Sequence, residues 1–121
     1  MNGLEELFAL GNISGTATVK SHTFHMALLD SKSLQQSLNA SVQLDPTAQA
    51  LEQKMQILAR ALTNIDGNPT RANDDKSTLD EINALLKILY RLSPTIINEI
   101  FDVYDKLSEN VSKELDADIK K

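Results

Sequence analysis

The feature of this sequence that most constrains its fold is a long apolar stripe in residues 93–115. Ser93 is a preferred helix N-cap, and Pro94 suits the first helical position, where its missing N–H costs nothing. Seven apolar or aromatic residues then recur at three- and four-residue spacing: Ile97, Ile100, Phe101, Tyr104, Leu107, Val111 and Leu115. This spacing predicts a helix with one continuous apolar face, which must be buried against the rest of the chain or against another protein.

The composition of the chain limits the kinds of function it can have. With 121 residues, 41% of them hydrophobic and 24% charged, the sequence is typical of one globular domain. It contains no cysteine, which excludes disulfides and thiolate metal sites, and its net charge of −5 argues against binding nucleic acid. Because it has no long apolar run and no basic, cleavable leader, we expect neither a membrane partner nor a signal peptide.

A change of period in residues 14–29 predicts two β-strands. Apolar and polar residues alternate there, so we predict a hairpin of residues 14–20 and 23–29 with its turn at Ser21-His22. The apolar members of the second strand are Phe24, Met26 and Leu28. An isolated hairpin is marginal in water, so this apolar side must lie on helices.

Two helices are predicted after the hairpin. The first begins at Asp30 and is marked by apolar residues at four-residue intervals, which are Leu34, Leu38 and Val42. The second begins at Asp45-Pro46, an N-cap followed by a proline, and has the most regular apolar spacing in the chain. Since that spacing continues to Ile65, we predict that the second helix continues to this residue.

Two more helices are predicted after a polar linker, residues 67–76. Thr78 and Glu81 have the spacing of a capping box and begin a helix over residues 78–92, which meets the final helix at a Ser-Pro bend. We therefore predict a mainly α protein of the α+β class. A short N-terminal β-hairpin is followed by a bundle of about four helices, the last two forming a Ser-Pro-linked helical hairpin.

This prediction divides the chain into three parts. Residues 1–66 hold the hairpin and the first helices, residues 67–76 are the linker, and residues 77–121 hold the last two helices. All three together have the size of one compact domain.

Two sets of polar side chains are candidates for a metal site. His22 and His25 are three residues apart, so on a strand they point to opposite faces, and no further ligands follow in a Cys/His pattern. The acidic residues between 74 and 81 lack the central glycine of a calcium loop, and helix capping explains them. No nucleophile, phosphate-loop or dinucleotide motif is present. We expect no catalytic residues, no metal, no cofactor and no enzymatic activity.

The apolar stripe on the last helix has two interpretations. It forms the core of a helical bundle, or it binds a partner, because the same residues serve either purpose. Its continuation past Leu107 favours a partner, since no predicted element follows to cover that part. The candidate partner-binding residues are therefore the whole stripe: Ile97, Ile100, Phe101, Tyr104, Leu107, Val111 and Leu115.

Three passages together resemble the layout of small phage tail proteins: GTATVKSHTFHMALLD, LEQKMQILARALTNIDG and LYRLSPTIINEIFDVYDKL. In that layout a short β-hairpin precedes a helix that ends in an IDG-like turn, and a helix opened by Ser-Pro follows. Over about residues 4–108 the chain is similar in this respect to the assembly chaperones of bacteriophage tails and baseplate hubs.

The resemblance implies a non-enzymatic assembly factor that binds an apolar tail or hub protein through its helices before the tail is built. The implied partners are another phage tail or baseplate protein and, as an option, further copies of the chain in a homo-oligomer. The implied location is the host cytoplasm. The same layout suits a structural virion subunit that forms an oligomer at the baseplate or the head–tail connection, and the sequence leaves both open.

Overall fold

The structure is a computed structural model that describes residues 14–41, 45–71 and 78–120, with only the backbone described for 111–120. The elements in chain order are β1 Ser14–Val19, β2 His22–Ala27, α1 Ser31–Asn39, α2 Pro46–Ala61, β3 Leu62–Ile65, β4 Asn68–Pro69, α3 Leu79–Leu89 and α4 Pro94–Lys120. The predicted α+β class, with an N-terminal hairpin and four helices, is confirmed. Within the described residues no helix combines the length and apolar character needed to cross a bilayer.

The hairpin of β1 and β2 has the predicted position but a different turn. Its two turn residues are Lys20 and Ser21, one position earlier than predicted, and Val19 lies opposite His22. Lys20 and Ser21 have φ values of 52° and 70°. Positive φ at both central residues defines the type I′ turn, whose twist matches that of the flanking strands. The geometry of the hairpin therefore overrides the poor turn preference of these two residues.

The prediction that the second helix continues to Ile65 is wrong. The helix α2 ends at Ala61, and β3 follows it directly and pairs with β2 in an antiparallel sheet of order β1-β2-β3-β4. Leu62 lies opposite Met26 in this sheet. The sheet therefore takes up four residues whose apolar spacing is also compatible with a helix.

A β-bulge in β3 explains why its spacing resembles that of a helix. Ile65 lies opposite Phe24 and Leu62 opposite Met26, so β3 uses three steps where β2 uses two. Thr63 is the extra residue, and its insertion turns two residues that are three apart to the same face of the sheet. Leu62 and Ile65 both contribute to the core, as they would on a helix face.

The start of the predicted linker belongs to the sheet. Asp66 and Gly67, with φ of 54° and 86°, form a second tight turn, after which Asn68–Pro69 pairs with β3 as β4. Residues 72–77 lie outside the described part of the chain.

The predicted starts of three helices are confirmed. Asp45 Oδ1 accepts hydrogen bonds from two backbone N–H groups in the first turn of α2, each 3.1 Å long. Thr78 and Glu81 form a reciprocal capping box at the start of α3. The Oγ of Ser93 accepts a hydrogen bond of 3.4 Å from the N–H of Ile96 at the start of α4. These side chains satisfy donors that a helix cannot satisfy internally.

The central element of the fold is α2. Five consecutive residues near its C-terminal end are buried: Met55, Gln56, Ile57, Leu58 and Ala59. Because five consecutive residues point in all directions around a helix, this part must be covered on every side. The covering elements are α1, α3, α4 and the strands β2 and β3.

The packing of the last two helices differs from a two-helix hairpin. They are joined at Ser93-Pro94 as predicted, but within the described residues the extensive contacts of α3 are with α2. The helix α4 packs on α2, on β1 and on β2. The two helices are therefore held in place mainly by α2, and the Ser-Pro link is a corner between them.

Candidate protein-interaction surfaces

The first half of the predicted partner-binding stripe on α4 belongs to the core of the chain itself. Ile97, Ile100 and Tyr104 are buried among residues of the sheet and α2. A partner cannot reach these three side chains without unfolding the protein. Val111 and Leu115 lie in the part of α4 whose side chains are outside the described residues.

Phe101 lies on the flank of α4 that faces α2. Its ring stacks on that of Tyr104, with centroids 5.7 Å apart and planes inclined by 29°. The Nζ of Lys54, on α2, lies 5.7 Å from the centroid of the Phe101 ring and donates a hydrogen bond of 2.8 Å to Asn98 Oδ1. The aromatic pair and the cation over its face therefore fasten α4 to α2.

Leu107 and Tyr104 fix α4 over β1 and the chain that follows β2. The side chain of Leu107 lies against Gly15 in β1. The hydroxyl of Tyr104 accepts a hydrogen bond of 3.3 Å from the N–H of Leu29, and burial raises the pKa of this tyrosine. All described members of the predicted stripe thus make contacts within the chain.

The helix α1 has the reverse of the expected arrangement. Leu34 and Leu38, which the sequence predicts to be its buried face, are 36% and 38% exposed. Ser37 and Ser41 are fully buried instead, and Ser37 Oγ lies 3.5 Å from the carbonyl oxygen of Gln56 on α2. Ser37 thus faces α2, and the two leucines form an exposed pair that we name the leucine ridge.

Sequence reasoning missed the serine face of α1 although its signal is present. Ser33, Ser37 and Ser41 recur at four-residue intervals, as regularly as the leucines. Hydrophobicity predicts the leucines as the buried face, whereas the structure buries Ser37 against Gln56 of α2. Val42, the third predicted member of the apolar face, lies outside the described residues.

A second exposed apolar region lies on α3. Ile88 is 50% exposed, and Tyr90, at the end of this helix, is 53% exposed. The Oη of Tyr90 donates a hydrogen bond of 2.5 Å to Glu52 Oε1 on α2. Partial burial and the carboxylate of Glu52 together raise the pKa of Tyr90 to about 12. The residue borders an open cleft of about 740 Å³ between α2 and α3, whose lining includes Gln56 and Lys87.

The two histidines are exposed and on opposite faces of β2, as predicted. His22 Nδ1 lies 2.6 Å from Asp66 Oδ2, and Thr23 N–H donates a 2.7 Å hydrogen bond to Asp66 Oδ1. These two hydrogen bonds, that from His22 first, lower the pKa of the Asp66 carboxyl. His25 Nδ1 lies 3.1 Å from Thr16 Oγ1 on the other face. Within the described residues no group of three His, Cys, Asp or Glu side chains is placed to hold a metal.

No family model matches this chain, and neither does any curated protein or solved structure. The surfaces described above are therefore the basis for inferring a function. Of these, the leucine ridge differs most from the pattern of a helix that serves only to complete a core. It exposes its large apolar residues and buries its small polar ones.

Proposed function

We propose that this protein is a non-enzymatic assembly chaperone for a phage tail or baseplate protein, which it binds in the host cytoplasm through an apolar helix face. The observation that supports a binding role is the leucine ridge, Leu34 and Leu38 on α1. The choice of a phage partner comes from the resemblance of the three sequence passages. A chaperone of this kind needs an exposed apolar surface and no reactive group.

The leucine ridge supports binding because more than one-third of each leucine is accessible to a partner. On α1 the fully buried residue is Ser37, whose Oγ lies 3.5 Å from the carbonyl oxygen of Gln56 on α2. Isolated exposed leucines are common, but Leu34 and Leu38 are four residues apart and so adjacent on one helix face. Apolar residues four apart are the anchors with which one amphipathic helix typically binds the apolar face of another.

The charge of the chain is compatible with this role. An assembly chaperone must keep an apolar partner in solution, and a net charge of −5 on 121 residues opposes aggregation of the complex. The two leucines and the residues between them carry no charge, so the centre of the leucine ridge presents no ionised group to a partner helix.

The test is a double substitution in the leucine ridge, Leu34→Gln with Leu38→Gln. The protein is co-expressed with each tail and baseplate protein of the same phage, and the soluble and co-purified fractions of that partner are measured. We expect the unchanged chain to keep one partner soluble and the double variant to lose most of that effect. Because nearly two-thirds of each leucine is buried, the double variant should also melt at a lower temperature, so partner binding is compared at a temperature where circular dichroism shows both proteins folded.

Leu79→Gln is the matched control, since Leu79 is 69% exposed on α3 and undergoes the same chemical change. It should retain the partner. If no tail or baseplate protein is kept soluble, or if the double variant holds the partner as well as the control does, the proposal fails. Mass spectrometry of purified virions distinguishes a chaperone from the alternative, a structural virion subunit, because a structural subunit stays in the particle and a chaperone leaves it.

A further inference from the structure

The two edges of the sheet differ in how far they are protected against pairing with another strand. The edge strand β4 has only two residues, and Pro69 among them has no N–H to donate. The opposite edge strand, β1, has six residues with the sequence SGTATV, without charge and without proline. Among the described residues no strand pairs with its outer side. Within the described residues this edge has none of the devices by which proteins prevent strand addition.

The turn of the hairpin determines which backbone groups of β1 point outward. In a two-residue turn the flanking residues, here Val19 and His22, form a hydrogen-bonded pair, and such pairs alternate along an antiparallel ladder. Thr18 and Thr16 therefore direct their N–H and C=O groups away from β2. Thr23, opposite Thr18, confirms this alternation, because its carbonyl accepts a 2.8 Å hydrogen bond from the β3 side.

The helix above this edge presents an apolar flank in the same direction. Phe101 and Asn98 mark the flank of α4 that faces α2, through their contacts with Lys54. Ile96 and Val103 lie on the opposite flank by helical spacing, and both are half-buried. Because α4 lies over β1, the edge strand, this second flank faces outward past the edge of the sheet.

Two charges on the same flank suit pairing with an identical helix. Glu99 and Lys106 are exposed, lie on either side of Val103 along α4, and have no ion-pair partner among the described residues. In two antiparallel copies of α4 related by a two-fold axis near Val103, each Glu99 lies opposite Lys106 of the second copy. The two flanks are therefore complementary in charge under this symmetry, although the whole chain has a net charge of −5.

We propose that β1 pairs in antiparallel fashion with β1 of a second copy of this chain. The pairing joins two four-stranded sheets into one and brings the two α4 flanks together, so that Ile96 and Val103 are covered. Threonines of the two strands become neighbours on the outer face, where cross-strand pairs of threonine are favourable. This inference does not depend on the chaperone role, since it uses another surface from the leucine ridge.

The first experiment measures the mass of the purified full chain by light scattering and analytical ultracentrifugation over a range of concentrations. We expect a dimer. Thr16→Pro removes an outward N–H that β2 does not use, so the hairpin should persist while the dissociation constant rises at least about tenfold, a loss of about 1.4 kcal/mol. Circular dichroism establishes whether the variant is folded.

A second set of variants tests the interface without changing the backbone. Glu99→Lys and Lys106→Glu should each weaken the dimer, since each places like charges opposite one another, and the two together should restore it. Asp105→Lys is the matched control, because Asp105 is exposed on the flank of α4 that faces α2. It should leave the dimer intact.

A wild-type chain that is monomeric at every concentration overturns the proposal. The open edge of β1 would then be a site for pairing with a strand of another protein. A dimer whose stability is unchanged by both single charge reversals overturns it as well. Restoration by the double reversal is the decisive supporting result, because no effect on the folding of one chain accounts for it.

Discussion

Leu107 of α4 lies directly over Gly15 of β1, so closely that a Cβ atom added to the glycine would stand 2.8 Å from Leu107 Cδ1 and 3.2 Å from Cγ. A larger residue at position 15 would therefore force the side chain of Leu107 to move. The close approach of α4 explains why a strand-weakening residue is the second residue of β1.

We expect Gly15→Ala to destabilise the protein by about 1–3 kcal/mol, the usual cost of overpacking. In a Leu107→Ala background the same substitution should be neutral or stabilising, because the clash is gone and alanine is better than glycine in a strand by roughly 0.5–1 kcal/mol. Urea unfolding of the four proteins in this cycle gives the coupling. An equal cost of Gly15→Ala in both backgrounds would show that Leu107 is not the obstacle. Ser14→Ala, at the adjacent exposed position, is the control.

The first hairpin turn should be easy to stabilise. Lys20 and Ser21 both have positive φ, which costs L-residues other than glycine and asparagine about 1–2 kcal/mol each. Replacement by the preferred pair, Lys20→Asn with Ser21→Gly, should raise the unfolding free energy by about 1 kcal/mol and the melting temperature by several degrees. Ser21→Val should act in the opposite direction. If both changes shift the melting temperature alike, the turn is not of type I′.

The two hairpin turns are linked through Asp66, and this link should depend on pH. Its pKa is lowered below the ordinary 3.8, chiefly by the hydrogen bond with His22, so the folded state favours the carboxylate. The resulting stabilisation is present above the unfolded pKa of about 4 and is lost as the pH falls through the folded value. Asp66→Asn keeps an oxygen acceptor for Thr23 and tolerates positive φ, but it removes the charge together with the Oδ2 acceptor of His22.

We therefore expect wild type to melt above Asp66→Asn at pH 6, with the difference shrinking as the pH is lowered from about 4 towards 2. Differential scanning calorimetry across this range measures it. A difference that stays constant would mean that the lost stability comes from hydrogen-bond geometry and not from the carboxylate. Asp102→Asn, at an exposed position on α4, shows the effect of removing one negative charge elsewhere.

The phenol of Tyr90 should ionise only at very high pH. Its pKa is raised from 10.0 to about 12 by burial first and by Glu52 second, so the folded state favours the neutral phenol. The stabilisation relative to Tyr90→Phe is full below about pH 10 and is lost as the pH rises towards 12. The chain has two tyrosines, so tyrosinate absorbance in a Tyr104→Phe background reports Tyr90 alone.

In the Tyr104→Phe background, Glu52→Gln should lower the midpoint of the Tyr90 titration but leave it above the ordinary pKa of 10.0, because the burial of Tyr90 remains. A midpoint that returns fully to 10 would assign the whole shift to the carboxylate. An unchanged midpoint would mean that the 2.5 Å hydrogen bond does not form in solution.

The sequence predicts the helix starts well because their chemistry is local. Asp45, Thr78 and Ser93 each accept hydrogen bonds from N–H groups within three residues, so no distant part of the chain is needed to identify them. The same holds for the hairpin, whose strands are adjacent in sequence. The observed turn lies one residue before the predicted one, because the residues there have little preference for a particular turn position.

The end of α2 was not predictable in this way. Leu62 and Ile65 have helical spacing, and only the pairing with β2 and the bulge at Thr63 convert that spacing into a strand. The partner strand lies about 40 residues earlier, so the deciding interaction is absent from any local window of the sequence. Such long-range pairing is why strand propensity depends strongly on context.

The candidate site illustrates a different limit. Periodicity identified the stripe on α4 but did not distinguish a core from a partner surface, and the structure places Ile97, Ile100 and Tyr104 in the core. On α1 hydrophobicity predicts Leu34 and Leu38 as the buried face, whereas the structure buries Ser37 against α2. The packing between two helices depends on the side chains of both, so it cannot be predicted from the amphipathic pattern of one helix alone.

The direct passage from α2 into β3 has a consequence for how the protein opens. Ala61 and Leu62 are both buried at this junction, and no loop separates the helix from the strand. A fluctuation that detaches the sheet from the helices must therefore expose this buried junction at the end of α2. We expect the slowest amide hydrogen exchange in residues 55–62, limited by global unfolding, and faster exchange through local opening in α1, which meets α2 through small side chains.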